Sequence, residues 1–211
     1  MDAKVSMFDW PSLIDEKEKW DLLIAWIALS IAFGLSFARN SGLLFSFATS
    51  FLGVGTGFIF HELGHKFAGI HYGASAGFRK WDLGLGLALL LGAMSFFNVF
   101  GFIFAAPGAT YIYSEHISRK QNGIISLVGP AINIALAIAL FLLSIFSAIF
   151  FPSGLIAGVL LFAAIINLYL AFFNMLPIPP LDGSKVIVWN PIIWGAVFVP
   201  LLYLFYFSGI L

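Results

Sequence analysis

The sequence contains no cysteine and few charged residues, and both shortages restrict what the protein can be. Without cysteine it can form neither disulfide bonds nor thiolate metal ligands. Only 9% of the 211 residues are charged, against roughly a quarter in a soluble domain, and 61% are hydrophobic. This composition predicts an integral membrane protein whose partner is the lipid bilayer. Because ten basic and ten acidic residues cancel, nothing indicates a nucleic-acid partner.

Several runs are long and apolar enough to cross a membrane, which takes about 20 residues as a helix. They cover residues 22–38, 42–68, 121–150, 154–176 and 191–211. A further apolar segment, 83–114, is interrupted by six glycines and prolines. We therefore expect an all-α integral membrane protein, a polytopic bundle of five to six transmembrane helices with a re-entrant or strand-like element around 83–114. A single domain should span 1–211.

The distribution of lysine and arginine predicts the orientation, because these residues are retained on the cytoplasmic side. If segment 83–114 returns to the side it starts from, nine of the ten basic residues share one side and only Arg39 lies opposite. If the segment crosses once, the split is six against four. The first arrangement fits better and predicts a multi-pass protein of the cell membrane with a cytoplasmic N-terminus. A glycine-rich helix that spans the membrane over 83–106 is the alternative.

The motif HELGH, residues 61–65, follows an uncharged run that begins at Gly42. Residues i and i+4 of a helix lie about 40° apart around its axis, so His61 and His65 can bind one metal ion. Glu62 lies about 60° from His65, where it can reach a water bound to that metal. This arrangement is typical of zinc hydrolases, and ionisable residues in a membrane segment indicate function. The alternative is that both histidines merely close a helix end.

A catalytic zinc site of this kind needs a third protein ligand and keeps one position open. Asp182 is the outstanding candidate, because it follows an uncharged helix that three prolines at 177–180 should end. Gly183 would allow a sharp turn beside the carboxylate. Asp182 meets HELGH only if segment 83–114 returns to its starting side, so this argument agrees with the charge distribution. A solvated aspartate in a proline-rich loop is the alternative.

Two paired motifs suggest a family. HELGH together with NMLPIPPLDG at 174–183 resembles the site-2 protease family of intramembrane zinc metalloproteases. GPAIN at 129–133 resembles the family's Gly-Pro-x-x-Asn, and FAAPGATYI at 104–112 resembles its strand-like segment near the active site. The resemblance covers about 42–186, which we take as the catalytic core. From the length of the sequence we expect neither the PDZ domain nor the pair of CBS domains that many relatives carry.

The resemblance implies one zinc ion per chain, held by His61, His65 and Asp182, with Glu62 as general base and acid. It further implies an intramembrane zinc metalloendopeptidase that cuts transmembrane segments of other proteins. The active-site motifs would lie on the cytoplasmic side, as in regulated intramembrane proteolysis.

The resemblance also assigns Asn174 to holding the substrate or the tetrahedral intermediate, and Asn133 to a structural or substrate-contacting role. We expect the substrate to unwind and to add as a strand near 104–112. Two other functions remain open: a transporter whose histidines and aspartate bind a travelling cation, and an inactive relative that binds membrane partners. The sequence does not predict an oligomeric state.

Overall fold

The computed structural model describes residues 14–99, 103–114, 116–151 and 153–208, so the predicted cytoplasmic N-terminal arm and the end of the last apolar run lie outside the described residues. The described residues form α-helices and two short strands. In chain order these are α1 (Glu16–Ser41), α2 (Leu43–Val54), a π-helical turn (Gly55–Ile59), α3 (Phe60–His71), β1 (Ser75–Lys80), α4 (Asp82–Phe96), β2 (Gly108–Tyr113), α5 (Arg119–Phe150), α6 (Leu155–Asn174), α7 (Asp182–Trp189) and α8 (Pro191–Ser208).

The helices confirm an all-α polytopic membrane protein. Among the described residues, four helices are long and apolar enough to cross a membrane: α1, the continuous helix Leu43–His71, α5 and α6. Two shorter apolar helices, Asp82–Phe96 and Pro191–Phe207, bring the apolar helices in the described part of the chain to six. Polar side chains fix where two of the long helices begin. Asp15 accepts a hydrogen bond from the Glu18 N–H, and Ser118 forms a reciprocal capping box with Gln121.

The two ends of the segment predicted to be re-entrant lie side by side. Strands β1 and β2 pair antiparallel, and their register sets Lys80 opposite Gly108. The Trp81 N–H then donates to the Pro107 carbonyl at 2.7 Å. The intervening helix α4 packs against α1 so closely that a Cβ at Gly92 would lie 2.5 Å from the Ala32 carbonyl oxygen. A continuous helix over 83–106 is wrong, because helix α4 ends at Phe96. The return of this segment to the side of the membrane where it starts stays a prediction.

Helix α5 lies between the two elements that carry the candidate site. Around Ile132, helix α5 contacts α3, where a Cβ on Gly64 would lie 2.4 Å from the Ile132 side chain. Near its own start it contacts α7, where a Cβ on Gly123 would lie 2.4 Å from Trp189. Glycine at these two positions therefore allows close helix packing, which brings the start of α7 to HELGH across α5.

Candidate metal centre

The helix that carries HELGH changes its winding just before the motif. Residues Gly55–Ile59 form a π-helical turn, a local widening that is frequent at functional sites. Two buried asparagines from neighbouring helices satisfy carbonyl groups around this turn. Asn133 donates to the Gly57 carbonyl at 2.9 Å, and Asn167 donates to the Gly53 carbonyl at 3.2 Å. Both side chains are fully buried, so this contact fixes the rotation of α3 about its axis.

His61, His65 and Asp182 converge on one buried point. The Nε2 atoms of the two histidines lie 3.0 Å apart. The Asp182 Oδ2 atom lies 2.9 Å from His65 Nε2 and 3.2 Å from His61 Nε2. All three residues are less than 9% exposed. The structure thus brings together the three residues that the sequence singled out as metal ligands, from α3 and from the start of α7.

Hydrogen bonds at the far side of each ring determine which nitrogen faces the point of convergence. His65 Nδ1 lies 2.8 Å from the Ile125 carbonyl, which only accepts, so Nδ1 carries the hydrogen. His61 Nδ1 lies 2.6 Å from Asn133 Oδ1, and that amide is oriented by its bond to Gly57. Both rings therefore direct Nε2 inward, and partners of this kind orient the histidine ligands of metal sites.

The geometry fits a tetrahedral zinc ion. Ligand atoms at 2.0–2.2 Å from zinc are roughly 3.3 Å apart in a tetrahedron, close to the three separations observed here. Two inward Nε2 atoms and a carboxylate oxygen are all electron-rich, so their close approach requires a proton or a metal cation between them. Gly129 leaves space beside them, since a Cβ there would lie 2.5 Å from His65 Nε2 and 2.7 Å from His61 Nε2.

Asp182 reaches this point from the first residue of helix α7. Helix α6 ends at Asn174, before the prolines, as predicted. The predicted sharp turn at Gly183 is wrong, because Gly183 lies in the first turn of α7. Glycine is required there for space instead, since a Cβ would lie 2.2 Å from the Met175 carbonyl oxygen. Burial alone would raise the pKa of Asp182, but electrostatic attraction to His65 and hydrogen bonding to both histidines hold that pKa below its usual range.

Glu62 lies beside the three candidate ligands and is not one of them. Its side chain is buried, and its Oε2 atom accepts a hydrogen bond from the Thr110 hydroxyl at 2.7 Å. Thr110 belongs to β2, so the Glu62 carboxylate is hydrogen-bonded to the strand near the end of the segment 83–114. The resemblance had placed the segment 104–112 near the active site, but it did not single out Thr110, because the register of two short strands across a long insertion cannot be read from residue types.

One cavity of about 70 Å³, room for a few water molecules, adjoins the candidate ligands, Glu62 and β2. Asn174 lines this cavity and donates through Nδ2 to the Leu170 carbonyl at 3.0 Å. Asn133 does not line it, because its side chain is buried between His61 and Gly57. The two asparagines singled out from the sequence thus occupy different settings, one at the cavity wall and one behind a candidate ligand.

A buried ion pair next to HELGH escaped the sequence analysis. Lys66 pairs with Glu18 of helix α1, and both side chains are only 3% exposed. The second oxygen of Glu18 accepts the Phe78 N–H of strand β1 at 3.1 Å. The signal was Lys66 itself, because a lysine at the end of an apolar helix needs a counter-ion when it is buried. Four acidic residues near the start of α1 could have supplied it.

Comparison with known proteins identifies the relatives of this chain. The sequence profile described as Peptidase family M50 matches residues 151–190. A Methanocaldococcus jannaschii protein named "Putative zinc metalloprotease MJ0611" is 46% identical over 187 residues, which cover 89% of this chain and 92% of that protein. A Mycobacterium tuberculosis protein named "Putative zinc metalloprotease Rip2" is 34% identical over 137 residues, or 58% of this chain and 49% of that protein. No solved structure matches the chain significantly.

Proposed function

Because the chain belongs to Peptidase family M50, the metalloproteases of the site-2 type, we propose that it hydrolyses peptide bonds in or near the transmembrane segments of other membrane proteins. One observation carries the proposal. The candidate metal ligands His61 and His65, with Glu62 between them, lie buried on a helix that is long and apolar enough to cross a membrane. Ionisable groups at such a position cost free energy and are rare, so their presence indicates a function.

The donor set of His61, His65 and Asp182 suits one zinc ion. Bound there, zinc would lower the pKa of a water to about 7 and polarise the scissile carbonyl. Asn133 and the Ile125 carbonyl hold the two imidazoles so that Nε2 faces the ion. Asp182 supplies the anionic ligand, and its placement at the start of α7 links the second motif to the first.

Glu62 acts as the general base and acid. Its carboxylate takes the proton of the attacking water and passes it to the leaving amine. Asn174 stands at the wall of the same cavity and uses one amide hydrogen on the Leu170 carbonyl. Its second amide hydrogen donates to the substrate carbonyl as negative charge develops on that oxygen.

The substrate binds as an extended strand along β2. The Trp81–Pro107 bond makes 81 and 107 a hydrogen-bonded pair, and such pairs alternate along an antiparallel ladder. The backbone groups of Gly108, Thr110 and Ile112 therefore point away from β1, and no backbone partner among the described residues occupies them. These three residues also line the cavity, so an added strand would lie next to Glu62.

The experiment that tests the proposal is cleavage by the purified protein beside Glu62→Gln. The probes are labelled β-casein in detergent and a panel of single-span reporter proteins in proteoliposomes. We expect cleavage by the wild type and a loss of at least about 10²-fold in the variant, with unchanged zinc content. Glu16→Gln is the control, because Glu16 is an exposed glutamate that is distant from Glu62 in the sequence. Cleavage by Glu62→Gln at the wild-type rate would refute the proposal. Uptake of cations into proteoliposomes by both the wild type and Glu62→Gln would favour the transporter instead.

Strand addition has its own test. Ile112→Pro removes an N–H from the free edge of β2 and leaves the bonds to β1 intact, a place where proline is tolerated in sheets. We expect KM for the reporter proteins to rise, while Ile112→Ala leaves it unchanged. Equal KM values for the two variants would show that the substrate does not use this edge.

A further inference from the structure

Strand β2 is connected to the Glu62 carboxylate by one side chain. The Thr110 Oγ1 atom lies 2.7 Å from Glu62 Oε2, and because an ionised carboxylate only accepts, the hydroxyl donates. The same Oγ1 atom lies 3.3 Å from the Glu62 carbonyl oxygen, so Thr110 sits directly against this turn of α3. No other hydrogen bond from the described part of the chain reaches the Glu62 carboxylate.

The backbone of Thr110 faces a different direction from its hydroxyl. The register places Thr110 opposite Phe78 in a pair that is not hydrogen-bonded, so its N–H and C=O point to the free edge of β2. Its side chain leaves the same strand toward α3. Thr110 therefore connects the edge proposed for the substrate strand with the group proposed as general base.

This contact decides how Glu62 presents its two oxygens. A glutamate has several rotatable bonds, and an unrestrained side chain would populate several orientations at the cavity wall. A donor on Oε2 selects one of them and leaves Oε1 for the attacking water. Positioning of this kind matters because a displacement of about 1 Å in a catalytic group can cost about 10²-fold in rate.

We propose that Thr110 is a positioning residue that holds Glu62 in its reactive orientation and couples that orientation to the strand that receives the substrate. The inference rests on the proposed function, since it assumes that Glu62 is the base. It assigns to the re-entrant segment a role in the chemical step in addition to substrate binding.

The test compares Thr110→Val, which keeps the shape and removes the hydroxyl, with Thr110→Ser, which keeps the hydroxyl. We expect kcat to fall about 10²-fold in Thr110→Val with KM within about twofold of the wild type, and Thr110→Ser to restore most of kcat. Zinc content should stay at the wild-type value in both. Thr49→Val is the matched control, because the Thr49 hydroxyl is buried and has no hydrogen-bond partner within the described residues.

An infrared measurement gives a readout that does not depend on cleavage. The difference spectrum between the wild type and Glu62→Gln isolates the Glu62 carboxylate band. We expect this band to shift in Thr110→Val and to keep its position in Thr110→Ser and Thr49→Val. If the wild type cuts no substrate, the proposed function fails, while the infrared band still tests the contact between Thr110 and Glu62.

Four results would overturn the inference. The first is wild-type kcat in Thr110→Val, and the second is an unshifted carboxylate band in that variant. The third is a rise in KM alone, which would make Thr110 part of the substrate-binding edge without any effect on the base. Loss of zinc from Thr110→Val would also contradict it, because the proposed contact does not involve a metal ligand.

Discussion

Lys66, the residue after His65, forms a buried ion pair with Glu18, and this pair fixes helix α1 to the helix that carries His61 and His65. Glu18 also accepts the Phe78 N–H, so the same carboxylate attaches α1 to strand β1. The region predicted as the catalytic core, 42–186, therefore depends on a residue that precedes it. The Glu18 carboxylate contacts two elements of this region, Lys66 on α3 and the Phe78 N–H on strand β1.

Neutralising Glu18 should destabilise the protein much more than neutralising an exposed glutamate. Glu18→Gln leaves the Lys66 charge buried without a counter-ion, which costs about 3–5 kcal/mol of unfolding free energy. The matched control is Glu16→Gln, because the Glu16–Lys19 pair is 79% and 53% exposed and such pairs contribute at most about 1 kcal/mol. Thermal unfolding in detergent measures both variants. Similar midpoints for the two would show that the buried pair does not stabilise the fold.

Metal content should depend on Asp182. We expect one zinc per chain in the wild type, measured by mass spectrometry after purification without added metal, and loss of that zinc in Asp182→Ala. Asp82→Ala is the control, because the Asp82 side chain is 82% exposed and pairs with Lys80 on the surface. Zinc retained in Asp182→Ala would mean that Asp182 is not the third ligand and that the two motifs do not form one site.

Gly129 offers a test of the site that removes no polar atom. A methyl group at this position would enter the space beside the two inward Nε2 atoms, so Gly129→Ala should abolish zinc binding and cleavage together. Gly195→Ala is the matched control, because a Cβ at Gly195 in helix α8 meets no atom within 4 Å. Normal zinc content in Gly129→Ala would show that the metal lies elsewhere.

The absence of native cysteine makes the orientation measurable by labelling single cysteines in intact cells. A membrane-impermeant maleimide should label Asn40→Cys, next to Arg39, without permeabilisation. Asp82→Cys and Ser114→Cys, at the two ends of the re-entrant segment, should react only after permeabilisation. Labelling of Asp82→Cys and Ser114→Cys from opposite sides would mean that the segment crosses the membrane. A reversed pattern for all three would place the N-terminus outside.

The convergence of the candidate ligands was predictable because it depends on helix geometry. The spacing of His61 and His65 puts both rings on one face, and the direction of the helices determines whether Asp182 can approach them. The break between α5 and α6 was likewise predicted, because a turn sequence interrupts an otherwise uncharged run. The roles of His61, His65 and Asp182 in metal binding stay predictions.

The supporting contacts could not be predicted, for three physical reasons. The contact between Thr110 and Glu62 depends on a strand register that no residue type specifies. The partner of Lys66 depends on which side of α1 faces α3, and several acidic residues compete within two turns. The carbonyl groups around the π-helical turn are satisfied by Asn133 and Asn167, which lie far from the turn in sequence and reach it only through the packing of α5 and α6.

Closure of the hairpin at Trp81 and Pro107 makes the segment between them an insertion into a β-hairpin. Strand register is maintained by bonds on either side of that insertion, so its length and sequence are not constrained by the spacing of β1 and β2. Substitutions in helix α4 that keep its close contact with α1 at Gly92 can therefore leave the alignment of Thr110 with Glu62 unchanged. The inserted segment and the pairing of β1 with β2 can in this way vary separately.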